Sequence, residues 1–208
     1  MQIHTLYPRG FGANTYILTA DNKTAIVIDP SQPRIVDELS RLGLTASYVL
    51  LTHCHFDHVG GVSALQEQGA KVLCSALEKP LISAPANVFS LFGAPWAPFQ
   101  YTVDETLSDG EERTLCGVTF KTLYTPGHTA GGACYLTVDE KGERHLFTGD
   151  TLFAGSIGRT DLPTGDMATL RASLRKLASL EDAIVYPGHE ETTTLFMEKK
   201  TNPFLKDA

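Results

Sequence analysis

The sequence predicts an α/β fold in a single domain over residues 1–208, and three observations carry that prediction. Apolar residues switch between strand and helix periods through the first third of the chain. After residue 110 the pattern turns to β, followed by one late amphipathic helix. Four predicted strands finish on or beside a histidine or an aspartate, the arrangement by which a sheet edge gathers residues remote in sequence. At 208 residues, 42% hydrophobic and 20% charged, the chain is long enough to bury a core without staples.

In chain order, "MQIHTLY", "NTYILTA" and "TAIVID" read as strands rich in β-branched and aromatic residues, separated by the breakers "YPRGFGAN" and "ADNK". In "QPRIVDELSRLG", Ile35, Val36, Leu39 and Leu42 recur at helical spacing, and Gly43 suits the C-terminal cap. "ASYVLLT" is a buried strand running directly into "HCHFDH". "GVSALQEQG" reads as a helix and "AKVLCS" as a short strand.

Residues 84–101, "APANVFSLFGAPWAPFQY", fit no period. An apolar loop of this length needs a wall to lie on: its own core, a substrate or a second copy of the chain, which makes it a candidate homodimer contact. Beyond it, "ERTLCG", "VTFKTLYT", "GACYLTV" and "RHLFTGD" are strands, with the hairpin turn "DEKGE" between the last two. "DMATLRASLRKLASL" is a helix with Leu170, Leu174 and Leu177 on one stripe and Asp166 as its N-cap, and "AIVYPGH" is the last strand.

The formal net charge of −7 argues against nucleic acid or an anionic membrane as the main partner. The four cysteines, Cys54, Cys74, Cys116 and Cys134, form no CxxC pair and read as reduced, mostly buried thiols. No signal peptide and no membrane span are evident, so a cytoplasmic location is expected.

The chemistry concentrates in "THCHFDH". His53 and His55 are two apart at a strand end, so both imidazoles lie on one side and can bind one cation. Alternation turns Cys54 the other way, as a buried bystander. Asp57 and His58 follow once the chain has begun to turn, and can serve a second cation. His128 in "TPGHT", Asp150 in "LFTGDT" and His189 in "YPGHE" each follow a predicted strand. A lone HxH is a weak signal; HxHxDH with three further donors at strand ends is a strong one. His4 and His145, isolated on strands, are expected to be satisfied surface histidines. Asp29, ending "AIVID", is a turn residue that can also hydrogen-bond a ligand imidazole. Arg159 and Asp161 of "GRTD" are expected to form a structural ion pair.

"THCHFDH", "PGHT", "TGDT" and "PGHE", in this order, resemble the metallo-β-lactamase superfamily over most of the chain. The resemblance implies a four-layer αβ/βα sandwich with the site at one edge of two packed sheets. It implies one metal on His53, His55 and His128, a second on Asp57, His58 and His189, and Asp150 bridging them. The implied cofactors are two divalent ions, zinc first, with iron and manganese also suited to these donors. "GDTLFAGSIGRTDLPTGD" and the ending "ETTTLFMEKKTNPFL" are similar to short bacterial members of the glyoxalase II (hydroxyacylglutathione hydrolase) branch. That implies hydrolysis of a small-molecule thioester by hydroxide held between the metals, with Asp57 orienting the nucleophile. Nineteen residues follow His189, so the helical domain with which longer members hold glutathione is not expected. A mononuclear iron persulfide dioxygenase and a lactonase are the rival enzymes on the same fold, and a non-catalytic metal-binding protein is the rival of another class.

Overall fold

The computed structural model describes residues 1–10, 12–82 and 100–206 of the chain. Most of the loop predicted over 84–101 therefore lies outside the described residues. The first sheet has the order β1 (Gln2–Leu6), β2 (Thr15–Thr19), β3 (Thr24–Ile28), β4 (Thr45–Leu51), β5 (Lys71–Ser75) and β6 (Glu105–Leu107). Its first three strands are antiparallel neighbours, and β3 to β6 are parallel. The second sheet is built from β7 (Glu112–Leu115), β8 (Val118–Tyr124), β9 (Ala133–Val138) and β10 (Arg144–Gly149). A separate hairpin follows, β11 (Leu152–Phe153) and β12 (Ser156–Ile157). Then β13 (Ile184–Pro187) joins β10 in parallel and β14 (Thr193–Thr194) closes that edge.

The two sheets pack face to face because their strands are apolar on both sides. Along β3, Ile26 and Ile28 point to the other sheet, where Phe120, Tyr135 and Phe147 meet them. Ala25 and Val27 point the opposite way, onto helices α1 (Ile35–Leu42) and α3 (Val62–Glu67). The second sheet is covered on its outer face by Leu170, Leu174 and Leu177 of α4 (Met167–Ala178), by Leu195 of α5 (Leu195–Thr201) and by Leu205 of α6 (Pro203–Lys206). Helices outside and two sheets inside give the four layers expected. Burial on both faces explains why "TAIVID" and "ASYVLLT" read as continuous apolar runs rather than alternations.

Local signals fall where they were expected. Gly43 caps α1 at φ 70° and its N–H bonds back into the last turn. The Asp166 carboxylate caps α4, accepting from Thr169 N–H at 2.7 Å. The short strands β6, β11, β12 and β14 and the helices α5 and α6 carry too few residues for a period and were not expected from the sequence. Among the described residues, no helix is long and apolar enough to cross a membrane.

Candidate metal centre

The site forms where one edge of both sheets meets. Strand β4 delivers His53 and His55, and the four-residue helix α2 (Phe56–Val59) turns Asp57 and His58 back toward the same point. The loop after β8 brings His128, the end of β10 brings Asp150, and the loop after β13 brings His189. The ligand-competent atoms of His53, His55 and His128 lie within 4.8 Å of one another, and so do those of Asp57, His58 and His189. Asp150 stands between the groups: Oδ1 is 3.2 Å from His58 Nε2, and Oδ2 is 3.4 Å from His128 Nε2 and 3.5 Å from His189 Nε2. All seven residues singled out in the sequence are therefore gathered at one place.

The tautomers can be argued from the hydrogen bonds. A carbonyl only accepts, so His128 Nδ1, 2.7 Å from Arg159 C=O, carries the proton, and Nε2 keeps a lone pair toward the site. Thr52 donates its hydroxyl to Asp29 Oδ2 at 2.6 Å. Its oxygen then accepts from His53 Nδ1 at 3.1 Å, which leaves His53 Nε2 free. His58 Nδ1 donates to Asp29 Oδ2 at 3.0 Å, which turns its Nε2 toward Asp150 Oδ1, 3.2 Å away. Asp29 thus orients one histidine directly and another through Thr52. A positive φ of 48°, which aspartate tolerates, turns it at the end of β3.

His53 Nε2, His55 Nε2, His58 Nε2 and Asp150 Oδ1 are buried without a hydrogen-bond partner. Buried polar atoms are ordinarily satisfied, and exceptions clustered on these four neighbouring residues fit a cation-binding centre. Electrostatics separates the two groups. Burial, reinforced by His128, pushes the His55 pKa down to about 3, and burial holds His53 well below the ordinary histidine range. At His189 burial acts against the charged form, but the carboxylates of Asp150 and Asp57 outweigh it and raise the pKa to about 9. At His58 burial is likewise outweighed, by Asp150 and Asp57, and its pKa is held well above the usual value. His53 and His55 are held neutral and ready for an ion; His58 and His189 hold protons that an ion would displace.

A cavity of about 320 Å³ opens onto the site, lined by His55, Asp57, His128, Asp150 and His189 and walled by Phe56, Phe153, Ile157 and Leu162. Arg159 reaches its rim but is paired with Asp161 at 2.6 Å, as expected. Cys54 is buried and belongs to neither group of ligand-competent atoms. Burial and the nearby Glu78 carboxyl push its thiol well above the ordinary range, so it is an unreactive neighbour. His145 differs from expectation. It is buried, with Nδ1 3.1 Å from the Tyr186 hydroxyl and Nε2 3.7 Å from Asp139. Thr52 and the apolar cavity wall were not foreseen, because single residues outside any motif carry no signal until the fold brings them to the site.

This architecture and this constellation define a metallo-hydrolase, and the chain belongs to the metallo-β-lactamase superfamily: the model of that superfamily matches residues 8–189. The chain is 36% identical over 217 residues to the hydroxyacylglutathione hydrolase GloC of Haemophilus influenzae, with 99% of this chain and 98% of that one aligned. It is similar in structure to the B3 metallo-beta-lactamase BLEG-1, with a TM-score of 0.88 and 35% identity over 98% of this chain and 99% of the other. It is also similar to TTHA1623, solved in a di-iron-bound form, with a TM-score of 0.82 and 36% identity over 99% of this chain and 100% of the other.

Proposed function

We propose that the protein is a dinuclear metal-dependent thioesterase of the glyoxalase II type, acting on a small-molecule thioester. His53, His55 and His128 would hold one divalent ion, Asp57, His58 and His189 the other, with Asp150 shared. The observation that carries this reading is the position of the Asp150 carboxylate, within 3.2 to 3.5 Å of histidines from both groups. The likeness to the hydroxyacylglutathione hydrolase of Haemophilus influenzae over nearly the whole chain supports the thioester. Zinc heads the list of ions, and the di-iron-bound TTHA1623 keeps iron beside it.

When bound, such ions lower the pKa of water and polarise a carbonyl. The residues do the rest. Asp57, which lines the cavity 3.3 Å from His189, would orient the attacking water and accept its hydrogen bond. Phe56, Phe153, Ile157 and Leu162 shield the scissile bond and take the apolar part of the substrate. Asp29 and Thr52 hold the Nδ1 atoms of His58 and His53, which turns each Nε2 toward the site. No serine or cysteine nucleophile is needed.

The test is metal analysis of the purified protein joined to a panel of thioesters, lactones and persulfides, the last followed by oxygen uptake. Two ions per chain and hydrolysis of thioesters ahead of lactones are expected. Oxygen consumption with a persulfide, or full turnover in a metal-depleted His55→Ala variant, would sink the reading.

A further inference from the structure

Glu78 lies in the turn after β5, far in sequence from every metal-competent residue, yet it is fully buried. A buried carboxyl is costly to keep unless its oxygens are satisfied. Its two oxygens serve two different loops. Oε1 accepts the backbone N–H of Cys54 at 2.9 Å, and Oε2 accepts the hydroxyl of Thr129 at 2.9 Å. Cys54 is the residue between His53 and His55, and Thr129 is the residue after His128. All three histidines of the first group are thus chain neighbours of an atom held by one carboxylate.

The rest of this turn grips the same loop. Ser75 Oγ donates to the carbonyl of Gly131 and accepts from Glu78 N–H at 3.1 Å. Gly131 lies so close that a Cβ there would overlap the backbone of Glu78. The two loops come from different sheets, β4 from the first and β8 from the second. Nothing comparable links Glu78 to Asp57, His58 or His189, whose loops are tied elsewhere. Ala13 N–H bonds to Asp57 C=O at 3.0 Å, and the Asn14 amide bonds to Pro187 C=O at 3.1 Å and Glu190 C=O at 2.9 Å.

We propose that Glu78 is a positioning residue for the three-histidine half of the centre alone, spacing His53 and His55 from His128 by holding the backbone of Cys54 and the side chain of Thr129. This rests on the dinuclear reading above. Glutamine can make both bonds: its oxygen accepts from Cys54 N–H, and its amide donates to the Thr129 hydroxyl, which rotates to accept. Leucine makes neither.

The experiment is a chelator competition on the zinc-loaded full-length protein, which resolves release of the two ions, with cobalt-substituted absorption spectra as a second readout. His53→Ala and His189→Ala variants assign each release phase to its half-site. In Glu78→Leu, affinity at the three-histidine half-site should fall about 10–100-fold, the loss typical of outer-shell partners, while the other half-site stays within about threefold. Glu78→Gln should restore both the affinity and the cobalt spectrum. Thr129→Val, which cuts one bond only, should give a smaller loss at the same half-site and serves if Glu78→Leu does not fold. Equal loss of both ions in the leucine variant, or in Thr129→Val where leucine does not fold, means that Glu78 merely supports the fold, and overturns the proposal. Unchanged affinity at both half-sites in that variant overturns it too. Fewer than two ions in the unaltered protein would instead overturn the dinuclear reading, before any variant is compared.

Discussion

Asp29 Oδ2 lies 3.0 Å from His58 Nδ1, and the same carboxylate takes both the backbone N–H of Thr52, at 2.8 Å, and the Thr52 hydroxyl, at 2.6 Å. One buried acid from the end of β3 thereby sets a histidine of each half-site. Replacing it with alanine strands several buried donors, each costing about 1–3 kcal/mol. Asp29→Ala should unfold at a clearly lower urea concentration and bind both ions more weakly. Asp29→Asn, which keeps the shape, should restore most of the stability but not the metal affinity. Equal affinity in aspartate and asparagine forms would show that the charge of Asp29 is immaterial.

Gly188 precedes His189 and packs against the carboxylate of Asp150. A Cβ there would overlap Asp150 Oδ1 and approach His58 Cε1 to 2.7 Å. Gly188→Ala should therefore push Asp150 out of line and lower kcat by about 100-fold or more, a loss of about 2.7 kcal/mol in the barrier. Circular dichroism should remain that of the parent protein. Wild-type kcat in this variant would remove Asp150 from the reaction.

Phe153 walls the cavity from the β11–β12 hairpin. Truncation to alanine removes apolar contact worth roughly 1–2 kcal/mol, so KM for a substrate with an apolar acyl or thiol group should rise roughly tenfold. For an acetyl thioester the change should be smaller. A KM that is unchanged across the series would place the substrate on another wall.

Asp21, in the turn between β2 and β3, accepts from the backbone of Thr24 and Lys23, each at 2.8 Å, and from the Thr24 hydroxyl at 2.9 Å. These bonds lower its pKa to about 2. A depressed carboxyl stabilises the fold above its unfolded value, near 3.9, and that contribution disappears as pH falls through about 2. Asp21→Ala should lower the urea midpoint at pH 7, and the gap from the parent should close between about pH 4 and pH 2. A gap independent of pH would mean that the turn is held by something other than the ionised carboxylate.

Much of the architecture was legible because periodicity survives in long elements. α4 spans twelve residues with its leucines at helical spacing, and its cap residue follows a local rule. The donors were legible because "HCHFDH" is contiguous and because His128, Asp150 and His189 each follow a strand. The helix α2 was not, since four residues inside a polar motif show no period. Glu78 was invisible for a different reason. In "SALEKP" it is one glutamate on what reads as a surface turn, and only packing of the two sheets buries it. Asp29 lies between these cases. Its place at a strand end suggested a bond to a histidine, but which histidine required the register of β3 on β4.

The first sheet brings His53, His55, Asp57 and His58 to the seam, and the second brings His128, Asp150 and His189. Neither sheet alone can hold an ion on three donors from its own group and the shared aspartate. On the dinuclear reading, an ion at this seam acts on the chain as a cross-link does, and its binding energy is folding energy. Loss of metal and gaping of the sandwich become one coordinate seen from two ends, so hydrogen exchange at the facing ends of β4 and β10 should track free metal concentration as faithfully as activity does.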